Sequence, residues 1–506
     1  MIALTKNFVC IHGHFYQPHR NNPFDGSLLE PSASPYPNWN ARINEECYRA
    51  NTQAPVLGED GEISRRVSNY EWISFDFGPT LLAWLESNDA TTYTKIIAAD
   101  RKTAKRFSGH GSGMAQAYNH TILPLSNARD KTTQVRWGIA DFEHRFGRKP
   151  EGMWLPEAAV DLETLEILAD EGILFTVLSP YQAASVRDSE DSWLDVYGGR
   201  IDSREPYLVE LPAKKNISVF FYEGSISKDI AFDGLLHDGR ILAKRLTQAL
   251  SDPTGSPMLV NVATDGETYG HHHPHGEMAL ARAITDLADD PDVSITNYGE
   301  FLAANPPGRV VRIIENSSWS CAHGVERWKS DCGCHTGPHP EWNQGWRRPL
   351  RRSLDFLRDR AIGHFEVLGA ELFEDPWAAR DAYIEVLVAG DSDGFLRRHG
   401  RPDLRPEDRV TALQLLEIQR QSMLMYTSCG WFFEDVTGVE TVIVLRHAGM
   451  LIDLTRRVVG VDMQPEFVDL LAEARSNIDS KTGRDVFDNE VAPLLGAGQS
   501  TTALGS

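Results

Sequence analysis

The sequence has no run of about 18 apolar residues, the length a bilayer demands, so no membrane span is expected. Basic residues are in deficit: 50 Lys and Arg face 72 Asp and Glu, a net charge of −22. Nucleic acid and anionic membrane both need a basic face, so neither is expected as a partner, whereas a neutral polymer is compatible. Cysteine is scarce. Cys10, Cys47, Cys321, Cys332, Cys334 and Cys429 are few for 506 residues. Residues 1–15 lack the charged start and long apolar core of a signal peptide, so a cytoplasmic location with reduced thiols is the expectation. No internal repeat is found. What is present is a 41 % apolar fraction, enough for a sizeable core, in a chain whose length suits two or three domains.

Two stretches stand out. Glu151 to Val160 reads Glu-Gly-Met-Trp-Leu-Pro-Glu-Ala-Ala-Val. The apolar run Gly152–Leu155 stops at Pro156, Glu157 follows, and an alanine pair opens a helical pattern carried by Leu162, Leu165 and Leu168. A carboxylate therefore stands where a strand hands over to a helix, the end at which β/α barrels build their sites. Trp154 beside it offers an indole for sugar stacking. The second stretch, Met258–Ala263, reads as a buried strand and ends in Thr264-Asp265-Gly266-Glu267-Thr268-Tyr269-Gly270. A barrel would bring Glu157 and Asp265 to one face. Two carboxylates on one cleft are the minimum set for breaking a glycosidic bond.

In chain order, Phe8–Ile11 is a short strand running into His12-Gly13-His14-Phe15-Tyr16-Gln17-Pro18. Residues 21–70, rich in Pro, Asn and Ser, read as an excursion with a short helix near 41–50. Helical patterns cover 80–107 and 131–147, with a polar segment Gly109–His120 between them. Strands are expected at 173–178 and 217–222, an insertion at 185–210 and a helix at 240–250. The alternation of strand and helix implies an α/β parallel architecture. Residues 315–349 hold Trp319, Trp328, Trp342 and Trp346 together with Cys321, His323, Cys332, Cys334, His335 and His339. From Leu350 the pattern is helical, with further helices at 377–389, 408–428, 437–457 and 465–478. The expected division is a catalytic domain at 1–310, a Trp/Cys-rich connector at 311–349 and a helical domain at 350–506.

Two clusters resemble metal sites. His12, His14, His271, His272 and His273 with Asp265 could build one, as metal-dependent deacetylases do on barrels. Three adjacent histidines cannot all face one ion, because strand side chains alternate. The other use of these histidines is to orient sugar hydroxyls and tune the carboxylates. Cys321 with Cys332-Gly333-Cys334-His335 could hold zinc, but the spacing matches no Cys-x₂-Cys pattern. The reading adopted is that neither cluster holds a metal and that no cofactor is needed.

Together these stretches resemble glycoside hydrolase family 57, the retaining α-glucan-active enzymes. Trp154-Leu155-Pro156-Glu157 is similar to that family's nucleophile motif in full. Asp265-Gly266-Glu267-Thr268-Tyr269-Gly270 is similar to its acid/base motif, and His14-Phe15-Tyr16-Gln17-Pro18 to its first motif with two residues inserted. Gly109–His120 and Glu315–Trp319 resemble the second and fifth motifs loosely, Ser318 replacing an aspartate. The resemblance covers about residues 5–320. It implies a distorted (β/α)7 barrel followed by a helical region, with Glu157 as nucleophile, Asp265 as general acid/base and no metal. The residues after it resemble a helical C-terminal domain of unknown function that accompanies this barrel in some bacterial members.

The substrate implied is an α-glucan or malto-oligosaccharide, processed by hydrolysis, by 4-α-glucan transfer or by branching. His12, His14, Gln17, His120, Trp154, Glu267, Tyr269 and His272 are the expected sugar contacts, and Trp319, His323 and Trp328 are expected to extend the cleft. A homo-oligomer is compatible with the sequence. Two other readings are a metal-dependent polysaccharide deacetylase on a related barrel and a non-catalytic glucan-binding protein. The intact pair Glu157 and Asp265 argues against the last.

Overall fold

The computed structural model describes residues 7–28, 30–187, 192–250, 258–337 and 339–496. They form two compact units. The first takes the chain through Gln17, 30–116 and Phe142–Trp319. Its frame is seven strands: β1 (Asn7–Phe15), β2 (Ser74–Phe77), β3 (Gly113–Gln116), β4 (Met153–Trp154), β5 (Phe175–Leu178), β6 (Asn216–Phe221) and β7 (Met258–Asp265). Parallel pairing runs β7–β1–β2–β3–β4. β4 is short and meets β5 through a parallel bridge, Gly152 to Phe175, and a 2.8 Å hydrogen bond from Thr176 Oγ1 to the Met153 carbonyl. β6 pairs with β5 in parallel. The ring closes where Glu223 N donates to the Asn261 carbonyl at 2.7 Å and Asn261 Nδ2 to the Phe221 carbonyl at 3.1 Å. The result is a distorted (β/α)7 barrel.

The strands read as mainly apolar runs because both of their faces are covered. Seven of the eight residues of β7 are buried, and Asp265 alone is exposed. Cys10, Met114, Trp154, Phe175, Phe220 and Leu259 belong to one core cluster.

Capping chemistry sets the helix boundaries. The helical stretch expected at 80–107 is two helices, Pro79–Asn88 and Ala90–Arg106, because Asp89 accepts the Thr92 N–H and caps the second. The helix expected directly after Glu157 begins only at Leu162, where Asp161 caps it by accepting from Thr164 N at 2.8 Å. The residues expected as an insertion contain the strands Ala183–Arg187, Trp193–Asp195 and Tyr207–Glu210, which join β6 and Val310–Ile313 in a mixed sheet. Residues 188–191 lie outside the described chain.

The second unit is helical and comprises Pro18–Leu28, Ala117–Asp141 and the chain from Ser320. Arg347–Leu372, Pro406–Leu424 and Val439–Val459 pack on one another, and Gln464–Leu471 lies on the first. Pro465 sits in the first turn of that last helix, and Gly460 ends Val439–Val459 in the left-handed conformation. The helix expected at 377–389 is broken at Tyr383 into Pro376–Ala382 and Ile384–Ala389. Residues 117–141 are tied in by polar contacts. Buried Arg380 donates to Asp130 at 2.7 Å and to Thr133 Oγ1 at 2.8 Å, and Trp137 Nε1 donates to the Asp381 carbonyl at 2.9 Å. No helix among the described residues is long and apolar enough to cross a membrane.

Candidate active site

The carboxyl ends of the barrel strands gather the ionisable groups. In the β7–β1–β2 register, Asp265 is opposite His14, and His14 is opposite Asp76. Asp76 has no exposed surface, and two histidines clamp it: His12 Nε2 lies 3.0 Å from one carboxylate oxygen and His14 Nδ1 2.8 Å from the other. The other ring nitrogen of His12 meets Ser74 Oγ at 3.0 Å. Both imidazoles stack on Trp154, at ring distances of 4.9 and 5.0 Å. Residues on β1, β2 and β4 therefore converge inside the curled sheet.

The two histidines differ in charge. Burial lowers His12 below its ordinary value, and Asp76 only partly offsets this. Burial works against the charged form of His14 as well. Its bond to Asp76 and the charges of Asp76, Asp265 and Glu267 overcome that and hold it at about 9. His14 is thus an imidazolium at neutral pH. It lies beside Asp265, whose pKa is raised by desolvation, opposed by the His14 charge and assisted by that of Asp76. Glu267 is buried and pushed up to about 7 by desolvation, although it accepts a 2.6 Å hydrogen bond from the Tyr48 hydroxyl. Gly266 between the two carboxylates is required by close approach, since a Cβ there would enter the Phe15 ring.

Glu157 is held differently. It lies in a tight turn after β4 with φ 57° and ψ 22°, and Ala158 also has positive φ, at 47°. For residues carrying a Cβ this left-handed region costs roughly 1–2 kcal/mol each. Surrounding bonds impose it. The Glu157 carbonyl accepts from Trp319 N at 3.0 Å, the Ala158 carbonyl from Gln182 Nε2 at 2.7 Å, and Val160 N donates to Ser317 O at 3.0 Å. Strain over-determined by its surroundings is a mark of functional turns. The side chain is fixed too, since Trp319 Nε1 donates to Glu157 Oε2 at 3.2 Å. The Trp319 indole is half-buried and meets His14 at 6.1 Å and Tyr222 at 6.3 Å, ring to ring. Asp265 acts electrostatically on both His14 and Tyr222. Glu157 and Asp265 are therefore linked through one shared layer of side chains.

The model of glycosyl hydrolase family 57 matches residues 39–313, more than half of the chain. The chain belongs to glycosyl hydrolase family 57. A domain of unknown function, DUF3536, matches residues 342–502. Among relatives, the 4-alpha-glucanotransferase of Thermococcus litoralis is 22 % identical over 269 residues, 49 % of this chain and 36 % of that one. Alpha-amylase 1 of Dictyoglomus thermophilum is 29 % identical over 126 residues, 25 % and 17 % of the two chains. The matches thus span well under half the length of these relatives. A solved exo-type maltose-forming amylase from Pyrococcus sp. ST04 shares the fold with a TM-score of 0.69 at 17 % identity, over 92 % of this chain and 82 % of that one.

The residues expected at the family 57 site divide into three groups. Glu157, Asp265, His14, Glu267 and Trp319 are brought together as described. Gln17 is nearly buried and bonds to Tyr48, which in turn holds Glu267. His272 lies exposed in the turn after β7, its ring 5.4 Å from that of His271.

A second group needs correction. His12, Trp154 and Tyr269 have no exposed surface through which to meet a sugar. Trp154 stacks on His12 and His14 and is fully enclosed, so it is a floor rather than a stacking platform. Tyr269 is enclosed, its hydroxyl pushed up to about 12 by burial, and its carbonyl accepts from Asn51 Nδ2 at 2.8 Å.

The third group lies in the helical unit. His120 is buried, with Nδ1 2.7 Å from Ser428 Oγ. Trp328 has no exposed surface, and an indole without an accessible face cannot stack on a sugar. His323 is occupied with Cys334, its Nδ1 3.4 Å from the sulfur.

Asp76 is the site residue that sequence reasoning missed. Its signal was available: an ionisable residue in the apolar run Ile73-Ser74-Phe75-Asp76-Phe77, directly before Gly78-Pro79.

Proposed function

We propose that this chain is a retaining α-glucan-active enzyme working by double displacement, with catalysis in the barrel unit. Glu157 attacks the anomeric carbon while Asp265 gives its proton to the glycosidic oxygen. The bond to the leaving sugar breaks and a glycosyl-enzyme forms. Asp265, now a carboxylate, takes a proton from the incoming acceptor, whose oxygen displaces Glu157. Water as acceptor gives hydrolysis, and a sugar hydroxyl gives transfer or branching. A malto-oligosaccharide is the substrate class, in keeping with what the amylase and glucanotransferase relatives are named for. A cytoplasmic location goes with this reading.

The observation that carries it is the opposite treatment of two strand-end carboxyls. Asp265 is biased toward its protonated form by desolvation, as a general acid requires. Glu157 sits in a strained turn and receives an indole N–H, which suits a group that must stay ionised and aimed. His14, as an imidazolium, limits how far Asp265 is raised, so that the acid can still ionise to serve as base. Trp319, half-buried, is the indole available to a sugar ring.

Kinetics of two variants test the roles. Glu157→Gln should abolish turnover of every glycoside. Asp265→Asn should spare the first step with activated aryl glycosides, whose leaving groups need little protonation. Equal damage by Asp265→Asn to activated and natural substrates would overturn the assignment. The product profile on maltoheptaose and amylose separates hydrolysis from transfer.

A further inference from the structure

Outside the barrel, one cluster has a use the glucan chemistry does not call on. Cys321, His323, Cys332 and Cys334 are spread over fourteen residues of loop, yet one ligand atom from each lies within 4.8 Å of all the others. Among the described residues this is the one group of three or more metal-type ligands so arranged. Cys321 Sγ lies 3.9 Å from Cys332 Sγ and 3.7 Å from Cys334 Sγ, and Cys334 Sγ lies 3.4 Å from His323 Nδ1. These are not disulfide lengths, which are about 2.05 Å. They are the edges of a tetrahedron: zinc bonds of about 2.3 Å to sulfur and about 2.0–2.1 Å to nitrogen give S···S near 3.8 Å and S···N near 3.5 Å.

The surroundings complete the picture. Gly333, at φ 78°, takes the left-handed conformation that turns Cys332 and Cys334 toward one point. The Cys321 sulfur accepts backbone hydrogen bonds from His323 and Arg327, the outer-shell pattern that holds a thiolate in place. Arg347 is fully buried, and among the described residues it has no carboxylate partner. Its Nη1 reaches Cys332 Sγ at 3.9 Å and donates to the Cys334 carbonyl at 3.1 Å. A buried cation needs a compensating anion. Three thiolates and a neutral imidazole around a divalent ion carry one net negative charge beside it.

We infer that Cys321, His323, Cys332 and Cys334 bind one zinc ion as a closed, structural site of the helical unit. Binding converts three thiols to thiolates and releases three protons, with no change of oxidation state. All four positions are taken by protein, so the site leaves no place for substrate or activated water. It would fasten the 321–334 loop to the start of the Arg347–Leu372 helix through Arg347. His335, the histidine that sequence adjacency suggests as a ligand, is directed elsewhere, with Nδ1 3.2 Å from the Gly337 carbonyl and 3.7 Å from Glu434.

The test is the metal content of the full chain, purified reduced and without chelator from zinc-containing medium. The expected result is about one zinc per chain in the wild type. Glu157→Gln and Asp265→Asn should retain it, and Cys332→Ser and His323→Ala should lower it. Replacement by Co²⁺ should give the thiolate charge-transfer and visible bands of a tetrahedral sulfur-rich site. Stripping zinc should lower Tm, and zinc but not magnesium should restore it. A wild type without zinc, whether its thiols are free or paired, would overturn the proposal. So would zinc that survives Cys332→Ser in full, or zinc that is lost with Glu157→Gln.

Discussion

Replacing His14 with asparagine isolates the electrostatics of the acid. The asparagine amide nitrogen falls about where Nδ1 lies, so it can still donate to Asp76, while the positive charge disappears. His14 and Asp265 are direct partners across parallel β1 and β7. Neighbouring strands are about 4.8 Å apart, and unit charges at about 5 Å interact by roughly 3 kcal/mol at an effective dielectric constant of 20. The Asp265 side chain keeps contact with solvent, so screening reduces this to about 1–1.5 kcal/mol, or about one pKa unit. The sign follows from the charge. His14 favours ionised Asp265, so its removal raises the Asp265 pKa further. The acid must be protonated, and the alkaline limb of kcat/KM on amylose should therefore move up by about one pH unit. In the wild type His14 stays charged up to about 9, so the shift should be full at neutral pH. A thermal melt checks that Asp76 remains satisfied. An alkaline limb that stays in place or moves down in a folded His14→Asn variant would refute the reasoning.

Two further outcomes are expected. Trp319→Phe keeps a ring against Trp154 but removes the N–H on Glu157, so kcat/KM should fall about tenfold, the equivalent of a charged hydrogen bond of about 1.5 kcal/mol; a change under about twofold would mean that the contact does not position the nucleophile. Trp328→Ala empties a fully buried site and should cost about 3–5 kcal/mol in denaturant melts, while the dependence of kinetics on oligosaccharide length stays unchanged.

How much of this was legible in the sequence depended on the kind of signal. The barrel strands announce themselves as apolar runs, and Glu157 and Asp265 stand at their ends in motifs that need no tertiary information. The turn that carries Glu157 was not legible. Ala158 and Ala159 look helical, yet Ala159 is extended, and hydrogen bonds from Gln182 and Trp319, distant in sequence, hold Glu157 and Ala158 left-handed. Burial was equally hidden. Trp154, Trp319 and Trp328 are alike as letters, and only the packing shows that Trp319 alone of the three keeps an open face. Asp76 carries no motif-end signal, because it lies inside the aromatic strand Ser74–Phe77 and only its two histidine partners reveal its part in the site. Chain order misled in two places. Residues 117–141 lie between barrel strands in sequence but join the helical unit through Arg380 and Asp381, and the ligand-like histidine is His323 rather than His335.

The most direct measurement is capture of the glycosyl-enzyme. The wild type is incubated with a 5-fluoro-α-glucosyl fluoride, which forms the intermediate quickly and releases it slowly, and is then digested and mapped by mass spectrometry. One glycosyl group on the peptide carrying Glu157, absent after Glu157→Gln and discharged when maltose is added as acceptor, is the predicted result. A label on another carboxylate, or turnover without any covalent adduct and with inversion at the anomeric carbon, would contradict it.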